Sequence, residues 1–228
     1  MTKVATEQAE IPIEYTPGTT GVETRYDRNF DTLLLDSIEL LLKARDDDSD
    51  GRFSGTLARA SIVMSLLLLE TAANICLQSL ALREDLFQEF DRLPVLGKFD
   101  VYLMNKFRNR RLDRNCKAVL GARELKRLRD GIVHLKLHPV KWEVTWEVNG
   151  SSGTAETRRT NFLKVASNPN FWGADDATVI MRAVHDFLFY FFRTQCKYSR
   201  NRVASMLFSE SKIPSEADYF VPLWKRMY

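Results

Sequence analysis

The sequence predicts a mainly α-helical protein, a helical bundle of four to six helices with one inserted β-hairpin. Three observations carry that prediction. Apolar residues recur at three- and four-residue spacing over several long stretches, as in helices that bury one face. One stretch, 140–148, changes to strict alternation of apolar and polar residues, as in a half-buried strand. The composition, 45% hydrophobic with 14 Phe and 4 Trp in 228 residues, supplies a large core without disulfides or metal.

Taken in order, residues 1–28 are polar and carry Pro12, Pro17 and Gly18, so an extended or disordered arm is expected. Residues 29–228 read as a single domain. The first helix, 29–45, places Phe30, Leu33, Leu34, Ile38, Leu41 and Leu42 on one face. The acidic run from Asp46 to Gly51 ends it. That run lacks the Glu expected at the twelfth position of a calcium-binding EF-hand, so it reads as a solvated loop.

A long apolar helix follows over 56–82. Glu70, Asn74 and Gln78 interrupt it at helical spacing. Three polar groups on one stripe are costly in lipid, so a core helix is expected rather than a membrane span. Pro94 and Gly97 punctuate the next stretch, and 98–107 reads as a short helix. Residues 112–135 form a helix with a basic outer face and a buried side of Leu112, Val119, Leu120, Leu125, Leu128 and Ile132. The strand at 140–148, a turn at 149–153 and a returning strand at 154–165 make the hairpin. An apolar helix over 175–198 and a shorter one over 201–209 close the chain.

Charge is unevenly distributed. Ten basic residues lie between Lys106 and Arg129, opposed by Asp113 and Glu124 alone. The net charge of the whole chain is only +3, so this block is about +8 and the remainder about −5. A basic block of this kind is either a polyanion-binding surface or a solvated helix face with partners elsewhere in the fold. Cys76, Cys116 and Cys196 are far apart and form no CxxC pair, so no zinc site, disulfide framework or cofactor is expected. A reducing, cytoplasmic setting is the simpler reading, and residues 1–10 carry no apolar run of the kind a secretory leader needs.

Of three His, His185 sits inside the apolar helix at 175–198 and reads as a packed core residue, while His138 precedes Pro139 at a helix boundary. His134 differs. Asp130 lies four positions before it and Arg129 five. Residues four apart share a helix face, so Asp130 can reach the imidazole, orient it and favour its protonated form. Gly131 removes a side chain beside that pair, permitting close approach of a partner helix or substrate.

The stretch from Glu124 through Arg129-Asp130-Gly131-Ile132-Val133-His134 resembles the signature of HEPN domains: Arg, a polar residue, several variable residues, then His, ending the penultimate core helix. The upstream run Leu66 to Asn74, with Glu70 and Asn74 one turn apart, is similar to the long apolar HEPN helix. The resemblance covers roughly 29–200, with the hairpin as an elaboration. Asp130 stands where Asn is commonest in the family. Lys136 stands where some members carry a Tyr modified by a nucleotidyltransferase antitoxin, which argues against that mode of neutralisation.

The resemblance implies a metal-independent endoribonuclease, a toxin or defence effector acting as a homodimer in which two motifs meet in one cleft, with an antitoxin or regulatory protein as a further partner. His134 would do the acid/base work and Arg129 would stabilise the phosphate, with Asp130 orienting His134 and Arg123, Lys126 and Arg127 holding RNA. Glu70 and Asn74 are either supports of that site or a buried polar seam. Two other readings remain open: a non-catalytic HEPN module that binds RNA, nucleotide or a protein partner, and an interaction protein whose hairpin docks a partner through Trp142 and Trp146.

Overall fold

The computed structural model describes residues 29–46, 51–108, 110–133, 140–147 and 150–208. The expected arm at 1–28, and His134 and His138, lie outside the described residues. The described part is mainly helical. Its helices are α1 (Phe30–Asp46), α2 (Gly51–Gln78), α3 (Glu84–Asp91), α4 (Val95–Lys106), α5 (Lys117–Val133), α6 (Ala174–Phe189) and α7 (Arg200–Leu207). The strands β1 (Val140–Glu147) and β2 (Gly150–Thr157) lie between α5 and α6.

The 28-residue α2 is the central post, against which α1, α4 and α6 pack. Its seam with α1 is lined by small polar residues that let the two helices approach. Ser61 Oγ donates to the Ser37 carbonyl at 2.7 Å and Ser65 Oγ to the Ser61 carbonyl at 2.9 Å, and all three serines are buried. Each hydroxyl is satisfied by backbone, so these polar residues stabilise rather than interrupt the seam. On the other side of α2, Phe99 of α4 meets Phe187 and Phe191 with ring centroids 5.0 and 4.4 Å apart. Burial of each such ring contributes about 1.5–3 kcal/mol.

Several expectations are corrected. Seven α-helices are described, more than the four to six expected, because α3 forms over 84–91 without burying any residue. α3 sets Leu86, Phe87 and Phe90 on one face and half-buries Phe87 and Phe90, but its eight residues are too few for that spacing to establish a helical period. The helix expected over 175–198 is α6 followed by a π-helical turn, Tyr190–Gln195, in which the Cys196 amide donates to the Phe191 carbonyl. The wider turn keeps Phe191 and Phe192 both buried. Leu120 and Ile132, expected in the core, are half-buried, because α5 is covered on one side only.

β1 and β2 pair antiparallel, from Val140 opposite Thr157 to Glu147 opposite Gly150. β2 therefore starts inside the segment read as a turn and stops at Thr157, eight residues short of the end of the 154–165 range expected for it. The side chains of Trp142 and Trp146 lie outside those described. After β2 the chain is pinned to the bundle by Glu124 of α5 and by the buried Trp172 ring, while the Trp172 indole Nε1 braces the segment itself by donating to the Ala166 carbonyl at 2.6 Å. The Glu124 carboxylate accepts from the Phe162 and Leu163 amides, both at 2.8 Å. One helical stretch, Phe53–Gln78, is long and apolar enough to cross a membrane by length and composition, and 61% of its most apolar window is buried against the rest of the protein.

Candidate functional site

Glu70 and Asn74 stand one turn apart on α2, and the structure shows what they face. Lys98, one turn into α4, is 3% exposed. Its ammonium donates to Asn74 Oδ1 at 2.6 Å, Asp91 Oδ1 at 2.8 Å and Glu70 Oε1 at 3.1 Å. An ammonium has three N–H donors, and here each meets an oxygen. Burying an ammonium without such partners is costly, and these three oxygens offset that cost.

The second oxygen of Glu70 reaches across to α5. Arg129 Nη2 donates to Glu70 Oε2 at 2.8 Å, and Arg129 Nη1 donates to Asp130 Oδ1 at 3.1 Å. Asp130 also accepts from Lys126, one turn earlier on the same helix. Glu70 is thus a bridge with one oxygen on Lys98 and the other on Arg129. It ties α2, α4 and α5 together at one place.

Of the site residues expected from sequence, Glu70, Asn74, Arg129, Asp130 and Lys126 come together in this cluster. Arg123 and Arg127 remain outside its hydrogen bonds, half-buried and exposed respectively on α5. The Asp130–His134 pairing falls outside the described residues with His134. Lys98 and Asp91 were missed. The available signal was Lys98 itself: with Val95, Phe99 and Tyr102 it occupies an apolar helix stripe where a lysine needs an explanation.

Among the described residues the cluster is electrically balanced, with Lys98, Lys126 and Arg129 against Glu70, Asp91 and Asp130. Arg129 stays accessible, its side chain 38% exposed. A guanidinium has five donors in a rigid plane, and the two carboxylate contacts fix that plane using two of them. Such an arginine is oriented in advance to take an anionic oxygen on its outer edge.

His185 does not behave as the packed core residue expected. It is half-buried on α6, with Nδ1 3.5 Å from Asp186 Oδ1. Burial lowers its pKa from the ordinary 6.5, against the opposing pull of Asp186. It is remote in sequence from the Arg129 cluster, and no bond between them is found among the described residues. Comparison of the chain with protein-family models, with curated proteins and with solved structures finds no match in any of the three.

Proposed function

We propose that this protein is a metal-independent endoribonuclease of HEPN type, a helical bundle in which the hairpin is an elaboration and two chains form a dimer with paired motifs. The observation that supports it is the clamp on Arg129. Glu70 and Asp130 hold its guanidinium plane while more than a third of the side chain stays exposed, five residues before His134. RNA supplies its own nucleophile, so the residues needed are few. His134 takes the proton of the 2′-OH, the 2′-oxygen bonds to phosphorus, the P–O5′ bond breaks, and the leaving 5′-oxygen takes a proton back from the protonated imidazole. Arg129 stabilises the charge on the non-bridging oxygens. The products are a 2′,3′-cyclic phosphate and a 5′-OH. Arg123, Lys126 and Arg127 flank the site as phosphate contacts, and a toxin or defence role in the cytoplasm, held by an antitoxin or regulatory protein, fits such an activity.

The test is RNA cleavage by the purified chain in excess chelator, with end-group analysis. Wild-type protein is expected to leave cyclic phosphate ends, and His134→Ala and Arg129→Ala to abolish cutting. Equal cutting by His134→Ala refutes the proposal. One observation favours a second reading, a non-catalytic HEPN module binding RNA, nucleotide or protein: both terminal nitrogens of Arg129 already face carboxylates. RNA retention on a filter without any cleavage selects that reading.

A further inference from the structure

A second positive face lies where the end of α4 meets the chain after the π-helical turn. Five basic residues between Lys106 and Arg114 and four between Arg193 and Arg202 are all exposed. The two segments are far apart in sequence but joined in space, because Arg110 Nη1 donates to the Gln195 carbonyl at 2.7 Å. Among the described residues, Asp113 lies within the first segment, and Asp100 is engaged by Arg114 and by the Leu112 amide. Between Arg193 and Phe208 there is no acidic residue.

The arginines are not loose. Arg110 lies over the Phe107 ring at 5.7 Å, the Phe107 and Tyr198 rings are 6.0 Å apart, and Arg202 lies over Tyr198 at 4.3 Å. This is a ladder of guanidinium, ring, ring and guanidinium. Tyr198 is itself locked by a 2.6 Å hydrogen bond between its hydroxyl and that of Tyr102. Stacking on a fixed ring removes rotamer freedom from a guanidinium before any anion arrives. Two bends in the same face carry left-handed backbone at charged residues, Arg108 with φ 49° and Lys197 with φ 56°. Glycine takes that conformation freely, whereas a side chain is strained there, so charge is kept in this face at a conformational cost.

We propose that this ladder is a docking surface for the sugar–phosphate backbone of single-stranded RNA, separate from the Arg129 cluster. The positive, pre-ordered guanidinium edges argue for a polyanion. The choice of RNA among polyanions rests on the ribonuclease reading above. A lipid surface fits less well, since Tyr198 is 7% exposed and the rings are capped by arginine rather than free to insert.

The test measures binding of a 2′-O-methyl single-stranded RNA, which has no free 2′-OH and so survives the proposed chemistry. The full chain is compared with Arg110→Gln/Arg202→Gln, with Arg110→Lys/Arg202→Lys, and with Lys43→Gln/Arg83→Gln, which makes the same charge change elsewhere. Loss of two phosphate contacts should lower the slope of log K against log salt by about 1.4 and weaken binding roughly tenfold at moderate salt. The Lys pair should keep the slope, and the distant Gln pair should bind as wild type. Equal losses in the ladder and distant Gln pairs, or tighter binding to phosphatidylserine vesicles than to RNA, overturn the proposal. So does unchanged binding by the ladder Gln pair. A chain that never cuts RNA but shows the ladder effect sinks the nuclease alone, and a chain that cuts RNA without the ladder effect sinks the ladder alone.

Discussion

Replacing Lys98 with methionine isolates what the buried ammonium does. Lys98→Met keeps an unbranched chain in the same slot and removes the charge. Asp91 is 49% exposed and regains water, so its share is small. Glu70, 23% exposed, loses a charge-assisted bond at Oε1 but keeps Arg129 on Oε2, and Asn74 loses its 2.6 Å donor. With about 1.5–3 kcal/mol for a charge-assisted bond and about 1 kcal/mol for a second, less the relief of no longer burying an ammonium, a net loss of about 2–3 kcal/mol is expected. At a urea dependence on the order of 2–3 kcal/mol per molar, the unfolding midpoint falls by about 1 M with unchanged slope. Asp91→Asn, tested alongside, should shift it by less than about 0.3 M. An unchanged or higher midpoint in Lys98→Met would show that desolvation of the lysine cancels its three contacts, and would refute the reasoning.

Glu124→Ala removes the acceptor for two amide donors, Phe162 and Leu163, at a site where Glu124 is 7% exposed. A loss of about 2 kcal/mol is expected, with faster hydrogen exchange at those two amides; exchange that stays slow would mean the segment is held by other contacts. His185 gives a pH dependence. Its folded pKa lies below the ordinary 6.5, so as pH falls through 6.5 the unfolded chain binds a proton that the folded chain resists. Stability attached to this group is therefore complete above 6.5 and declines toward the lower folded value. Urea midpoints at pH 7.5 and 5.5 should differ more for wild type than for His185→Gln, and equal differences would remove His185 as the cause.

Helix periodicity was legible because burial imposes it locally. Phe30, Leu34, Ile38 and Leu41 on α1, and Val119, Leu125 and Leu128 on α5, are core residues at the spacing that predicted them. The amphipathic stripe does not depend on which element covers it, so composition and spacing suffice. α3 was not legible because Leu86, Phe87 and Phe90 span barely more than one turn, too short a run for a helical period to be read. The π-helical turn was not legible because an apolar run such as Phe187 to Phe192 reads the same for either helix geometry, and only the packing of two adjacent rings selects the wider turn.

For the candidate site, the sequence by itself determined that Glu70 and Asn74 share one helix face and that Arg129, Asp130 and Lys126 lie within one turn of each other on another helix. Spacing along a helix sets those relations before any folding of the chain. The tertiary structure alone decided that Glu70 joins the two helices, 59 residues apart at its contact with Arg129, and that Lys98 is the buried cation on its other oxygen. Long-range pairing of this kind depends on which surfaces the core brings together, and no local pattern encodes it.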